Sequence, residues 1–334
     1  MARRTHLGWP RPSTRSFIHE AQHTDGYTVL DWLHGYVYGR WPYLYIGVAL
    51  GEHPLARYFR PLTTLLSRLF VGRKVARRAP QAATGAGNAE RDGVAFADTY
   101  HGKVVLPEAA RQLVTVNQEI RLTNLETVIP YAMARDIVLR HPDHIVVLDC
   151  PCRAARTNPC LPVDVCLIIG EPFASFVAEH HPRRSRWIAQ QEAVQILTAE
   201  HERGHVQHAF FKDAMLGRFY AICNCCACCC GAMQAHQHGV PMLASSGYVS
   251  QVSADRCVAC GACVQVCPFS ALSMDGGRVA VDGGQCMGCG VCVSRCENGA
   301  LSLARDPSKG EPLELDALLS GACVQEPSEA MASD

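Results

Sequence analysis

The chain has 334 residues, 48% hydrophobic and 19% charged, with 31 basic and 31 acidic side chains and no formal net charge. That length favours two or three domains, and the apolar fraction excludes wholesale disorder. The charge balance argues against a nucleic-acid binder, which needs a broad basic face, and no apolar run reaches the roughly 18 residues of a spanning helix.

The first 25 residues carry basic side chains, including Arg3 and Arg4, but no apolar core of a secretory signal. Residues 1–53 are rich in aromatics: Tyr27, Trp32, Tyr36, Tyr38, Trp41, Tyr43 and Tyr45. Their periodicity is mixed, and Pro42, Gly47 and Gly51 interrupt it, so the sequence assigns no element there. Residues 54–78 place Leu55, Phe59, Leu62, Leu65, Leu66, Leu69 and Phe70 at helical spacing among seven basic residues and no acidic one. Such a stretch either packs on its own domain with a solvated basic face or lies on an anionic membrane surface. Residues 79–93, APQAATGAGNAERDG, read as a linker. Beyond it, 128–140 and 190–210 read as helices, with Gly204 near the end of the second. His144–Leu148 and Arg218–Ile222 read as strands, each delivering a cysteine group. Residues 94–248 are therefore expected to be an α/β cysteine-rich domain.

The cysteines are the strongest signal. There are 19, none before Cys150, and 18 of them fall between Cys150 and Cys296. Clustering of this kind, without a secretory signal, points to a reducing, cytoplasmic compartment in which thiolates hold metal. One repeat is explicit: ADRCVACGACVQVCPFSALSM (254–274) returns as GGQCMGCGVCVSRCENGALSL (283–303), displaced by 29 residues from Cys257 to Cys286. Each copy spaces its cysteines C-x2-C-x2-C-x3-C, and Gly261 and Gly290 relieve crowding where the backbone nears a cluster. Residues 250–305 resemble a bacterial-type two-cluster ferredoxin domain, a small α+β fold. In that spacing the fourth cysteine of each run serves the other cluster. Cys257, Cys260, Cys263 and Cys296 are thus expected to hold one [4Fe–4S] cluster, and Cys286, Cys289, Cys292 and Cys267 the second. Pro268 follows the first run. Glu297 stands where the family commonly has proline, a departure that leaves ligation untouched. Zinc sites use separated C-x2-C pairs instead.

Ten further cysteines precede the repeat. Four lie in DCPCRAARTNPCLPVDVC (Cys150, Cys152, Cys160, Cys166) and six in ICNCCACCCG (Cys223, Cys225, Cys226, Cys228, Cys229, Cys230). Six thiols in eight residues cannot all reach one metal, because neighbouring side chains diverge on a strand or helix. Three readings fit: additional iron–sulfur clusters with Arg153 offsetting thiolate charge, a redox-active dithiol, or structural zinc. Cys229-Cys230-Gly231 resembles the cysteine-rich domains of heterodisulfide reductases, without the long spacing those domains also use. HERGH (201–205) matches the zinc-hydrolase pattern H-E-x-x-H, with Gly204 inside it and His208 beyond. A chance match is the commoner explanation. His180, His181, His236 and His238 read as surface or loop residues.

The expected class is α+β: a ferredoxin-like two-cluster domain at 249–305, preceded by the α/β cysteine-rich domain at 94–248, an N-terminal region at 1–78, and a tail at 306–334. The expected function is iron–sulfur electron transfer within an oxidoreductase system, between two [4Fe–4S] clusters and the upstream cysteines. The alternative is a reductase whose upstream site meets a substrate directly. A redox protein partner and peripheral membrane contact through 54–78 are the expected partners; no nucleotide motif is present.

Overall fold

The computed structural model describes residues 10–56, 99–123, 125–131 and 135–322. The linker at 79–93, Cys323 and all but the first three residues of the basic segment 54–78 lie outside the described residues.

The aromatic N-terminal region is helical: α1 (Pro12–Gln22), α2 (Val29–Arg40) and α3 (Pro42–Ala49). Proline opens α1 and α3, where its missing N–H costs nothing, and a Thr28–Asp31 capping box opens α2. Gly35 allows α2 to approach the chain at Ala214, since a Cβ there would fall 2.0 Å from the Ala214 carbonyl oxygen. Phe17 of α1 meets Phe173 and Phe176 edge-on at 6.1 and 5.7 Å.

An eight-stranded sheet follows, built from β1 (Tyr100–Val104), β2 (Ile120–Leu122), β3 (Ile137–Asp149), β4 (Asp164–Glu171), β5 (Ser185–Ile188), β6 (Val206–Lys212), β7 (Arg218–Cys225) and β8 (Leu243–Ala244). Its order is β2-β3-β4-β7-β6-β1-β8, and β5 pairs with β3 beyond β2. Every pairing between these strands is antiparallel except β1 with β8. The α/β expectation is corrected here. The mixed class stands, but short connections such as the β6–β7 hairpin enforce antiparallel pairing, and helical crossovers do not order the sheet.

Two expected helices also differ. Residues 137–140 belong to β3, because Ile137 and Leu139 bury alternately on one face; the apolar spacing that suggested a helix is strand alternation. The second helix stops early. In the structure α4 is Pro107–Thr115, α5 is Pro151–Ala154, α6 is Phe173–His180 and α7 is Gln190–Glu202, after which Gly204 turns the chain into β6.

Alternation divides the core into two faces. Val146, Leu148, Cys166, Ile168, Ala221 and Cys225 face α1–α3 and α6, whereas Ile145, Val147, Leu167, Ile169 and Ile222 face α4 and α7. The cysteines of the strands therefore share one face.

After α8 (Gly231–Gln237), β9 (Tyr248–Val252) pairs antiparallel with β12 (Leu301–Arg305). Between them come α9 (Ala262–Val266), the hairpin of β10 (Leu272–Asp275) and β11 (Arg278–Val281), and α10 (Val291–Ser294). Residues 306–322 are not a loose tail. Leu313 and Leu315 are buried in the second face's core, and α11 (Leu315–Ala322) packs on α4.

Candidate metal centres

The two cysteine runs adopt the same backbone. Gly261 and Gly290 open α9 and α10 in the left-handed region, at φ 74° and 80°. Glycine enters that region without the strain a side chain would bring. Each run's fourth thiol accepts a backbone N–H four residues on, Ala271 to Cys267 and Ala300 to Cys296, both at 3.3 Å. The Ser250 N–H reaches Cys286 Sγ and its hydroxyl lies 3.4 Å from Cys292 Sγ. Cys267, from the first run, lines one small cavity with Cys286, Cys289 and Cys292 of the second. Burial, with a smaller contribution from the nearby Cys296 and Cys257, pushes the Cys263 thiol up. Burial and the neighbouring thiols push Cys289 up to about 12. Neutral thiols crowded in this way lose their protons when metal binds. Cys260 and Glu297 are exposed.

The ten upstream cysteines split into two groups. β7 puts Cys223 and Cys225 on one face, Cys223 opposite Cys166 of β4. Cys226 follows the strand, residues 227–229 form a turn, and Cys230 stands at the N-cap position of α8. Adjacent thiols thereby point to different places. Cys150, Cys152, Cys166, Cys223, Cys225 and Cys230 line a cavity of about 340 Å³, which Cys226 of the second group also borders. Cys230 donates to Cys225 at 3.2 Å. Hydrogen bonding with Cys152, aided by burial, pushes Cys150 up to about 12 against the pull of Cys166. Cys225 also rises to about 12: its bond from Cys230 favours the thiolate, but burial and nearby thiols outweigh it. The second group is Cys160, Cys226, Cys228 and Cys229, whose four Sγ atoms all lie within 4.8 Å of one another. Cys160 and Cys228 stand 2.9 Å apart and Cys228 and Cys229 3.6 Å apart.

The family model of the 4Fe-4S dicluster domain matches residues 250–297. Those residues are a 4Fe–4S ferredoxin-type segment. No curated protein matches the chain. The ferredoxin-type segment shares a buried core with Cys150, Cys166, Cys225 and Cys230. His236 of α8 stands edge-on to Phe269 at 6.0 Å, two residues after Cys267. Ser294 Oγ lies 2.6 Å from His201 Nε2, and Arg295 donates to the Glu202 carbonyl.

These contacts also account for HERGH. His201 serves the contact with the ferredoxin-type segment, while His205 Nδ1 is 2.7 Å from Glu200 Oε2, so the two histidines do not share an ion. Arg153 is buried, and its charge is met by Glu200 at 2.6 Å and by the Asn224 and Pro162 carbonyls. Burial alone would raise the Glu200 carboxyl, but the His205 and Arg153 hydrogen bonds hold it below the usual carboxylate range. His180 and His181 are buried, and His236 is half-buried against Phe269, contrary to the surface expectation; only His238 is exposed. Helices α1–α3 cover this face and bring partners for them: Thr14 lies 3.0 Å from His180, and the Gly39 carbonyl 2.7 Å from His181.

The cavity's opposite wall was not legible beforehand. Tyr38 and Tyr220 share a hydrogen bond of 2.8 Å, and the Lys212 ammonium lies 5.1 Å from the ring centres of both Tyr38 and Tyr100. Lys212 is fully buried and lines the cavity with the thiols. Its signal was the alternation His208-Phe210-Lys212, hidden once 190–210 is taken as a single helix.

Proposed function

We propose that the chain is an iron–sulfur electron-transfer protein and a component of an oxidoreductase system. Cys257, Cys260, Cys263 and Cys296 would hold one [4Fe–4S] cluster, Cys267, Cys286, Cys289 and Cys292 a second, and four of the six cavity thiols a further iron–sulfur cluster. Bound clusters supply one-electron transfer at potentials set by charge, hydrogen bonding and exposure. The chain's residues hold and insulate. The Ser250, Ala271 and Ala300 N–H groups donate to thiolates, which stabilises their charged form. Lys212 places a positive charge at the six-thiol cavity, where thiolates would otherwise repel one another.

The observation that carries the reading is continuity. Cys267, Cys289, Phe269 and Met287 pack in the same buried core as Cys150, Cys166, Cys225 and Cys230. His208, buried beside this path and opposite Cys223 in the sheet, is kept neutral by burial, with its pKa lowered to about 3. The test is iron and sulfide counting with EPR on protein purified without oxygen. About twelve irons per chain are expected, falling to about eight in Cys150→Ser/Cys166→Ser/Cys223→Ser, which leaves only three of the six thiols. Colourless protein lacking iron would overturn the reading.

A second reading is favoured by the room in the cavity. Ile46, Ala49, Leu50, Val240 and Met242 give it an apolar wall facing the thiols, suited to a substrate reduced in place. Turnover of a disulfide with a chemical reductant, lost in Cys230→Ala with the ferredoxin-type EPR signals retained, would select this reading. The partners proposed are a redox protein and an anionic membrane surface.

A further inference from the structure

Cys160, Cys226, Cys228 and Cys229 are spaced for something smaller than a cluster. Four sulfurs bound to one tetrahedral ion through bonds of about 2.3 Å stand about 3.8 Å apart. All Sγ atoms of Cys160, Cys226, Cys228 and Cys229 fall within 4.8 Å of one another, and two of the contacts are 2.9 and 3.6 Å. The chain supplies its own ruler. None of the eight cysteines of the ferredoxin-type segment joins two others within that limit, nor do the six cavity thiols. Thiolates on separate corners of a cluster must stand farther apart than thiolates sharing one ion.

We propose that Cys160, Cys226, Cys228 and Cys229 hold a single tetrahedral metal ion, zinc by the chemistry of the donor set, with no bridging sulfide.

Binding a divalent ion displaces the thiol protons and leaves a net charge of two minus. Two guanidinium groups flank the site. Arg156 donates to the Cys229 carbonyl at 3.3 Å and to Gln234 at 2.5 Å, and Arg153 donates to the Asn224 carbonyl at 3.0 Å. The turn is already shaped: the Cys229 and Cys230 N–H groups both donate to the Cys226 carbonyl, at 3.3 and 3.0 Å. Cys160 comes from the connection between α5 and β4, and the other three from the turn between β7 and α8. An ion here fastens together the two segments that carry the cavity thiols.

The test uses the full chain, purified without oxygen, and compares it with Cys160→Ser/Cys228→Ser. Zinc, iron and acid-labile sulfide are counted, and the metal's X-ray absorption is recorded. The expected result is roughly one zinc per chain, in a shell of four sulfurs with no metal neighbour, lost from the variant while sulfide and the EPR signals stay unchanged. One iron in place of zinc, with sulfide again unchanged, supports the single-ion site and changes only the ion. Loss of sulfide together with iron, an unchanged metal content, or a Cys160–Cys228 disulfide in the native protein overturns the proposal. Should the double variant fail to fold, Cys160→Ser alone carries the same expectations, since Cys160 lies beside the exposed Leu161. The inference does not rest on the electron-transfer reading, because neither the ferredoxin-type cysteines nor the six cavity thiols are altered.

Discussion

Arg153 sits under the thiol turn with 1% of its side chain exposed, and Glu200 opposite it is equally buried. Removing one member of such a pair leaves a buried charge without its counter-ion, typically at a cost of about 3–5 kcal/mol. Glu200→Ala is therefore expected to lower the urea midpoint severely, and Glu200→Gln, which keeps a neutral acceptor, to do so less. Equal midpoints for the two variants would show that charge is not what matters there. Lys103 is the contrasting case. Its ammonium donates to the Glu311 carbonyl at 2.7 Å, and burial together with the nearby Arg305 lowers its pKa from 10.5 to about 7. Between those values the unfolded chain holds a proton that the folded chain has lost, so this residue makes folding more favourable as pH rises from about 7 to 10.5. Lys103→Met is expected to be more stable than the parent at pH 7, by on the order of 1 kcal/mol, and to flatten the pH dependence across that window. Parallel stability curves for parent and variant would sink this expectation.

Among the elements, the duplicated run shows how far a pattern of residue types reaches. Three left-handed positions recur at the repeat's own displacement: Ala259 and Gly288 at φ 53° and 62°, Gly261 and Gly290, and Ser270 and Gly299 at φ 54° and 56°. The sequence announced Gly261 and Gly290 but hid the other two pairs, because one copy fills each with a residue that has a side chain. At Gly288 an added Cβ would lie 2.3 Å from the Tyr248 carbonyl oxygen and 2.4 Å from Ser246 Oγ. Gly288→Ala is expected to cost more than 2 kcal/mol or so, whereas Ala259→Gly relieves about 1 kcal/mol of left-handed strain and should be neutral or stabilising. Thermal melts of the two variants in opposite directions would bear this out; similar losses in both would not. The upstream elements were read less well for a physical reason. In β3 and β6, apolar residues crowd both faces of a covered strand, and such runs do not separate from helix by periodicity. The eight repeat cysteines needed only spacing to be grouped. The ten upstream ones needed β7, the turn after it and α8 before their two groups separated.

Over the whole molecule, the apolar surface is unevenly distributed. Val29, Leu30, Leu33 and Val37 lie along the outer side of α2, Val29 with 80% of its surface exposed, and Trp41, Leu44 and Leu55 are exposed as well. The opposite side of the same helix, with Trp32, Tyr36 and Tyr38, packs on the cysteine-bearing core. A contiguous apolar stripe is a docking surface by physical default. We propose a bilayer as its occupant, because residues 57–78, next in sequence, carry seven basic side chains and no acidic one. An anionic bilayer satisfies both features, apolar side chains entering the interface while basic ones meet headgroups. Among the described residues no helix is long and apolar enough to cross a membrane, so contact through this stripe would be peripheral. The full chain is expected to float with vesicles containing phosphatidylglycerol and to float less in about 0.5 M salt, where the screening length falls to a few ångströms. Leu33→Asp/Trp41→Asp is expected to weaken membrane binding about a hundredfold or more, since each buried apolar side chain contributes about 1.5–3 kcal/mol. These positions are exposed, so the fold should survive the change, which circular dichroism checks. Flotation that the double variant leaves intact, or that never occurs on anionic vesicles, would leave the stripe to a protein partner and remove the membrane from this chain's electron route.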